Sequence, residues 1–274
     1  TQNLARVVSG REMILWVVPA RHLREVMAAA GPFLLPGARL VIATKGIEPD
    51  TGLRMSEVVQ ECLGGSPRRI AALSGPSFAR EVARGDPTAG VLACRDPREG
   101  EALQEDLSYG PFRFYTNPDL VGVEMGGALK NVIALAAGVV EGIGFGSNTS
   151  AALVTRGLTE ITRLGVTCGG SPSTFAGLAG LGDLVLTCTG RLSRNRWVGV
   201  QLGEGKKLEE ILAGMKMVAE GIPTTAAAML LGRRHGVELP IIEQVDRILR
   251  GEVQPRDAVA ALLRRPLKGE DAWG

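Results

Sequence analysis

Lys130 and Asn131 stand inside an otherwise small and apolar stretch, EMGGALKNVIALAAG (124–138). At helical spacing, Gly126 and Gly127 lie one turn before Lys130, and Ile133 and Ala134 one turn after. None of them is acidic, so no local ion pair accounts for the ammonium. Two readings compete. A lysine on a helix edge can run its stem along apolar surface and keep its charge in water. The other reading is a buried, reactive amine, since burial lowers a lysine's pKa. The flanking glycines, which would admit another backbone or a ligand, the missing acid and the adjacent amide favour the reactive amine.

Four further stretches have residue types suited to chemistry. ATKG (43–46) puts Lys45 at the end of an apolar run, as the first exposed residue of a loop or as a group in a cleft. In LSGPSFA (73–79), Gly75-Pro76 makes a turn, and Ser77 either caps the helix that follows or helps free N–H groups bind a polar ligand. In GLAGLGDLVLTC (177–188), Asp183 is a helix cap or a cleft carboxylate that orients Lys130 and a substrate hydroxyl, and Thr187 shares its face one turn on. GRLSRNRW (190–197) concentrates three arginines with Ser193 and Asn195. It is a solvated loop or, more sharply, a phosphate site, because the guanidinium fork suits phosphate. A lysine, an aspartate, arginines and amides together suit proton donation to a carbonyl on a phosphorylated substrate.

Composition narrows the alternatives. The 274 residues suffice for one large domain or two ordinary ones, and 45% hydrophobic with 22% charged residues is typical of a globular protein. A net charge of +2 calls for neither nucleic acid nor an anionic membrane surface. The apolar runs read as too short for a membrane span, with Lys130 interrupting the best of them. Cys62, Cys94, Cys168 and Cys188 are widely spaced, which fits reduced thiols better than a disulfide framework or a zinc site. With only His22 and His235, a histidine-based metal site is not expected. No secretory signal pattern is visible, and a cytoplasmic protein is expected.

These side chains need elements to position them. Up to about residue 118 the chain alternates apolar strand-like runs (MILWVVP, ARLVIATKG, RIAALSGPS, TAGVLAC, FRFYT) with helical ones (RHLREVMAAAG, SEVVQECLG, FAREVAR and the capped DPREGEALQEDL). That grammar predicts an α/β unit with a largely parallel sheet, which binds ligands at the carboxyl ends of its strands, where ATKG and SGPS fall. From residue 119 to 274 the strands vanish and helices follow one another between glycine and proline breaks. The expected architecture is α/β plus all-α: a nucleotide-type α/β domain over 1–118 and an all-helical domain over 119–274, with a cleft between them.

Taken in order, ATKG, SGPSFA, VGVEMGGALKNVIALAAGVVEGIGFGSNT, GLAGLGDLVLTC, SRNR and VAEG resemble bacterial NAD(P)-dependent glycerol-3-phosphate dehydrogenases over nearly the whole chain. The resemblance makes residues 1–118 a partial Rossmann dinucleotide-binding domain and residues 119–274 a substrate and catalytic domain of the helical 6-phosphogluconate-dehydrogenase type. It also implies reversible NAD(P)H-dependent reduction of dihydroxyacetone phosphate to sn-glycerol 3-phosphate for phospholipid synthesis, by a homodimer. It makes Lys130 the catalytic acid/base and Asp183 the residue that orients it and the substrate. Lys45 would touch cofactor and substrate, Gly75 and Ser77 would line the substrate site, and Ala79 would touch the cofactor. Ser193, Arg194 and Asn195 would hold the phosphate end, with Arg194 also near the cofactor, and Asn131 would add a polar contact. Val218 and Glu220 would complete the cofactor pocket. The glycines beside Lys130 would open space for substrate.

The sequence departs from the family pattern in one respect: it contains no GxGxxG turn. GIGFGSN (142–148) and GLAGLG (177–182) have the wrong spacing or order. That absence leads to the expectation of an incomplete Rossmann unit beginning after its first βαβ step, on the order of 60 residues late. Two alternatives stay open: a related reductase of the β-hydroxyacid or 6-phosphogluconate dehydrogenase type, and a non-catalytic phosphate-binding or dimerising module.

Overall fold

The computed structural model describes residues 1–64, 69–215, 217–267 and 269–270; the expected domain end at residue 274 lies outside them. The first part contains helices α1 (Leu4–Val8), α2 (Ala20–Ala30), α3 (Met55–Cys62), α4 (Ala79–Arg84) and α5 (Pro97–Leu107). Its strands are β1 (Met13–Trp16), β2 (Arg39–Ile42), β3 (Arg69–Ser74), β4 (Thr88–Cys94) and β5 (Phe112–Asn117). Each strand falls within an expected run, except that β5 extends one residue further, to Asn117. Asp96 caps α5 by accepting from the Arg98 amide at 3.0 Å. The short α1, capped by Asn3, is an addition to the expected elements.

The strands form one sheet in the order β1-β2-β3-β4-β5. β1, β2 and β3 are mutually parallel, β4 runs antiparallel to β3, and β5 is parallel to β4. The sheet is therefore mixed, and the reason lies in α4. This six-residue helix buries none of its residues, so it does not cross a sheet face as the helix of a parallel crossover must. The chain turns at the end of β3 and comes back beside it. Only β1, β2 and β3 direct their carboxyl ends toward the site described below.

The second part is helical: α6 (Leu120–Gly142), α7 (Ser147–Thr167), α8 (Pro172–Phe175), α9 (Asp183–Thr189), α10 (Arg194–Gly203), α11 (Leu208–Ala213), α12 (Gly221–His235), α13 (Pro240–Leu249) and α14 (Pro255–Leu263). A widened π-helical turn, Leu178–Gly182, leads directly into α9. The apolar runs were read as too short for a membrane span, but α6 has 23 residues and is long and apolar enough by length and composition. It is instead a core helix, 94% buried over its apolar window, because a helix apolar on all sides must be enclosed. One hydrophobic core surrounds α6 and includes Leu129, Ile133, Leu184, Val198 and Ile242. A separate core packs α2 and α3 against β1 and β2 through Leu23, Met27, Leu40 and Val59.

The SRNR segment, for which a loop was one reading, begins helix α10, with Ser193 as its N-cap. α10 lies directly on α6. A Cβ on Gly138 or Gly199 would strike the backbone of the facing helix, so only glycine allows this approach. The close crossing brings Asn195 to Asn131.

Candidate active site

Lys130 projects from the middle of α6 and is 6% exposed. Its ammonium donates to Asp183 Oδ1 and, at 2.8 Å, to Thr187 Oγ1. The acid that the local sequence lacks is thus supplied from 53 residues away. Asp183 is 1% exposed. Although it opens α9, its side chain caps no amide there; it faces the lysines. Thr187, one turn along α9, donates its own proton to the Asp183 carbonyl at 2.6 Å, so its oxygen is oriented to accept from Lys130.

Lys45 reaches the same carboxylate from the loop after β2. Its Nζ donates to Asp183 Oδ2 at 2.6 Å and to the carbonyl of Gly75 at 3.0 Å. That carbonyl is presented by a backbone conformation suited to glycine, with φ +116°, and a Cβ there would lie 3.0 Å from Gly90 Cα. ATKG and SGPS, both at strand carboxyl ends, therefore converge with α6 and α9 on one carboxylate.

An ammonium has three donors. Lys130 spends two on Asp183 and Thr187, and Lys45 spends two on Asp183 and Gly75. Each keeps one N–H for a ligand oxygen. Burial, and next the positive charge of Lys45, lower the Lys130 pKa to about 8, while Asp183 opposes the shift. Burial alone would raise the Asp183 carboxyl, but Lys45 and Lys130 outweigh it and hold the group below its ordinary value. Cys188, on the same short helix, is pushed up to about 12 by burial, so its thiol stays protonated near neutrality.

The other candidates form the surroundings. Asn195 donates to Asn131 Oδ1 at 2.9 Å and accepts from the Gly221 amide at 2.9 Å, tying α6, α10 and α12 together beside Lys130. Ser193 accepts from the Arg196 amide at 3.2 Å. The arginines divide: Arg196 pairs with Glu141 at 2.5 Å, whereas Arg194 is exposed and has no hydrogen bond or ion pair among the described residues. Ser77 donates to the Gly75 carbonyl at 3.1 Å and is not a cap; Phe78 holds the N-cap position of α4, and Ala79 is exposed in its first turn. Val218 is half-buried. Glu220 Oε1 accepts from the Ala20 amide at the start of α2, at 3.2 Å, while Oε2 is buried with no partner among the described residues. Burial raises the Glu220 pKa.

Glu124 escaped the sequence reading. This residue of α6 accepts from the Ser56 amide at 2.7 Å, the Ser56 hydroxyl at 2.6 Å and Arg54 Nη1 at 2.6 Å. The signal was present in EMGGALKN: an acid in an apolar helix with no local partner, as for Lys130. The glycines before Lys130 also differ from expectation. Gly126 faces the backbone of Ala179, and Gly127 faces Ser74 and the Lys45 stem. They admit protein rather than leaving room for substrate.

The geometry agrees with what the chain is similar to. Residues 119–260 match the profile described as NAD-dependent glycerol-3-phosphate dehydrogenase C-terminus, and residues 1–100 match that of the corresponding N-terminus. A glycerol-3-phosphate dehydrogenase [NAD(P)+] from Geobacter sp. (strain M21) is 55% identical over 271 residues, covering 98% of this chain and 81% of the relative. One from Koribacter versatilis (strain Ellin345) is 53% identical over 270 residues, covering 97% and 80%. The crystal structure of glycerol-3-phosphate dehydrogenase from Coxiella burnetii superposes with a TM-score of 0.91 at 41% identity, covering 96% of this chain and 80% of that one. With family profiles matching both its sheet and its helical part, and relatives more than half identical along nearly its whole length, the chain belongs to the NAD-dependent glycerol-3-phosphate dehydrogenase family.

Proposed function

We propose that this protein catalyses the reversible NAD(P)H-dependent reduction of dihydroxyacetone phosphate to sn-glycerol 3-phosphate, a precursor of glycerophospholipids. One observation carries the reading: a buried lysine with a pKa near 8 shares one carboxylate with a second lysine at strand carboxyl ends, and each amine keeps a free donor. The named activity of relatives at 53–55% identity supports it. Neither a β-hydroxyacid-type reductase nor a non-catalytic module is favoured by those relatives.

A nicotinamide dinucleotide, when bound, supplies the hydride. The chain's own residues supply the rest. Lys130 in its ammonium form donates a proton to the carbonyl oxygen as negative charge develops there. In the oxidative direction the neutral amine takes that proton from the hydroxyl. Asp183 holds Lys130 in place and offsets the charge of two neighbouring ammoniums. Lys45 turns its remaining donor to the same oxygen. Asn131 and Thr187 line the site, Gly75 and Ser77 shape its wall, and Ser193, Arg194 and Asn195 form its phosphate end, where Arg194 has a guanidinium to offer.

The residues present suit a dinucleotide on one structural ground: Glu220 Oε2 is a buried acceptor without a donor among the described residues, beside the start of α2. Lys45, Ala79, Arg194, Val218 and Glu220 would hold the group. We assign cofactor binding to residues 1–118 and substrate binding to 119–274; the last strand ends at Asn117, and the family profiles meet between residues 100 and 119. A homodimer in the cytoplasm completes the proposal, on the family resemblance, and sedimentation tests the dimer.

The deciding assay is NADH and NADPH oxidation by the purified protein with dihydroxyacetone phosphate, set against unphosphorylated hydroxyketones and keto acids. Turnover confined to the phosphorylated ketone is expected. Preference for a keto acid would overturn the reading.

A further inference from the structure

Gly126 and Gly127 precede Lys130 by one helical turn, and each meets a different part of the protein. A Cβ on Gly126 would lie 2.8 Å from the carbonyl oxygen of Ala179, in the turn that delivers Asp183. A Cβ on Gly127 would lie 2.7 Å from Ser74 Oγ and 3.8 Å from Lys45 Cδ. Ser74 ends β3, immediately before the Gly75 carbonyl that holds Lys45. It is 3% exposed, and its hydroxyl has no hydrogen-bond partner among the described residues. A buried hydroxyl without a partner is unusual in a folded protein and requires an explanation.

The explanation is shape. At Gly126 and Gly127, α6 meets the turn before Asp183 and the end of β3, and at both the contact is as thin as glycine allows. We infer that Gly126 and Gly127, with Ser74 seated against Gly127, form a spacing device that sets Lys130 near enough to Lys45 for both to share Asp183. This rests on the acid/base role proposed for Lys130. Ser74 fills the notch left by Gly127 and is a positioning residue; it touches no reacting group. The separation it sets also governs how strongly Lys45 lowers the Lys130 pKa, because that effect is a Coulombic one between two like charges.

A double-mutant cycle tests this. Gly127→Ala places a methyl against Ser74 Oγ and moves α6 away from β3. In the double variant Ser74→Ala/Gly127→Ala the nearest remaining atom is the residue-74 Cβ, 3.6 Å away, which is ordinary contact. For Gly127→Ala the expected result is a loss of kcat approaching about 10²-fold, the scale for misplacing a catalytic group by an ångström. Its Lys130 titration, followed by NMR of lysine-labelled protein, should move upward from the wild-type midpoint near 8. The double variant should recover both kcat and midpoint, with Ser74→Ala alone less affected than Gly127→Ala.

A Gly127→Ala variant with wild-type kcat and midpoint overturns the inference, since the hydroxyl would simply have turned aside. So does a double variant as impaired as Gly127→Ala, or one that fails to fold along with it. A single variant that misfolds while the double one folds and turns over supports it. If the wild type does not reduce dihydroxyacetone phosphate, the functional reading fails, while the titration still tests the spacing.

Discussion

Helix α6 carries two buried charges about one and two-thirds turns apart, Glu124 and Lys130, and their surroundings differ in kind. Both lack a local partner in the sequence, and both find one from a distant segment. Glu124 meets Arg54 and Ser56, and both of its oxygens are engaged. Burial raises its pKa even against the pull of Arg54, yet it has nothing to offer a ligand. It works as a latch between α6 and the start of α3. Lys130 meets Asp183 and Thr187 and keeps a donor in reserve, with a second ammonium competing for the same carboxylate. Burial and charge alone therefore do not make an active site. Spare hydrogen-bonding capacity, a pKa brought near neutrality and a place beside strand carboxyl ends separate the group proposed to react from the structural one.

The sharpest way to break this comparison is to remove each charge in turn. Lys130→Ala should lower kcat by about 10²–10⁴-fold, the usual range for a lost general acid, while dinucleotide binding followed by fluorescence stays close to wild type. Near-normal turnover would end the catalytic assignment. Glu124→Ala should do the reverse. Arg54 would keep Glu57 but lose its buried partner, and the Ser56 amide would lose its acceptor, so the change should cost about 1–3 kcal/mol of stability, read from denaturant unfolding, with the activity of the folded fraction retained. If Glu124→Ala lost kcat at full stability, Glu124 would belong to the reaction site rather than to a structural latch.

Arg194→Ala probes the proposed phosphate end. Losing one charge-assisted contact of about 1.5–3 kcal/mol should raise KM for dihydroxyacetone phosphate by about 10- to 100-fold and leave an unphosphorylated analogue nearly unaffected. Equal changes for both substrates would remove Arg194 from that role. The smallest effect expected is a shift in pH dependence. With Lys130 as the proposed proton donor, reduction needs its ammonium, so the rate should fall as pH rises through about 8, and oxidation should rise through the same range. Lys45 holds that midpoint down by repulsion, so Lys45→Met should move it upward. A downward movement or none would mean that the two amines are not electrostatically coupled.

Much of this molecule can be read along the chain. The change from alternating strands and helices to helices alone follows from the residue pattern, and the five strands of the described residues lie, to within one residue, inside runs recognisable by their apolar residues. Thr187 was placed on the face of Asp183 by helical spacing, and their contact is direct. Strand direction was harder to read. β4 is antiparallel because α4 is too short and too exposed to cross the sheet, which a run of residues does not declare. The arginine cluster also divided on folding: Arg196 found Glu141, 55 residues away, while Ser193 became a helix cap.

By itself, the sequence determined the kinds of groups available and the face on which each would stand. An ammonium in an apolar helix, an aspartate after a glycine-rich turn and a lysine at a strand end are local facts, governed by helical and strand periodicity over a few residues. Only the tertiary structure decided which groups would meet. The sharing of Asp183 by Lys45 and Lys130 joins positions up to 138 residues apart. That meeting depends on how closely backbones approach at Gly75, Gly126 and Gly127, distances set by packing between elements rather than by the residues within any one of them.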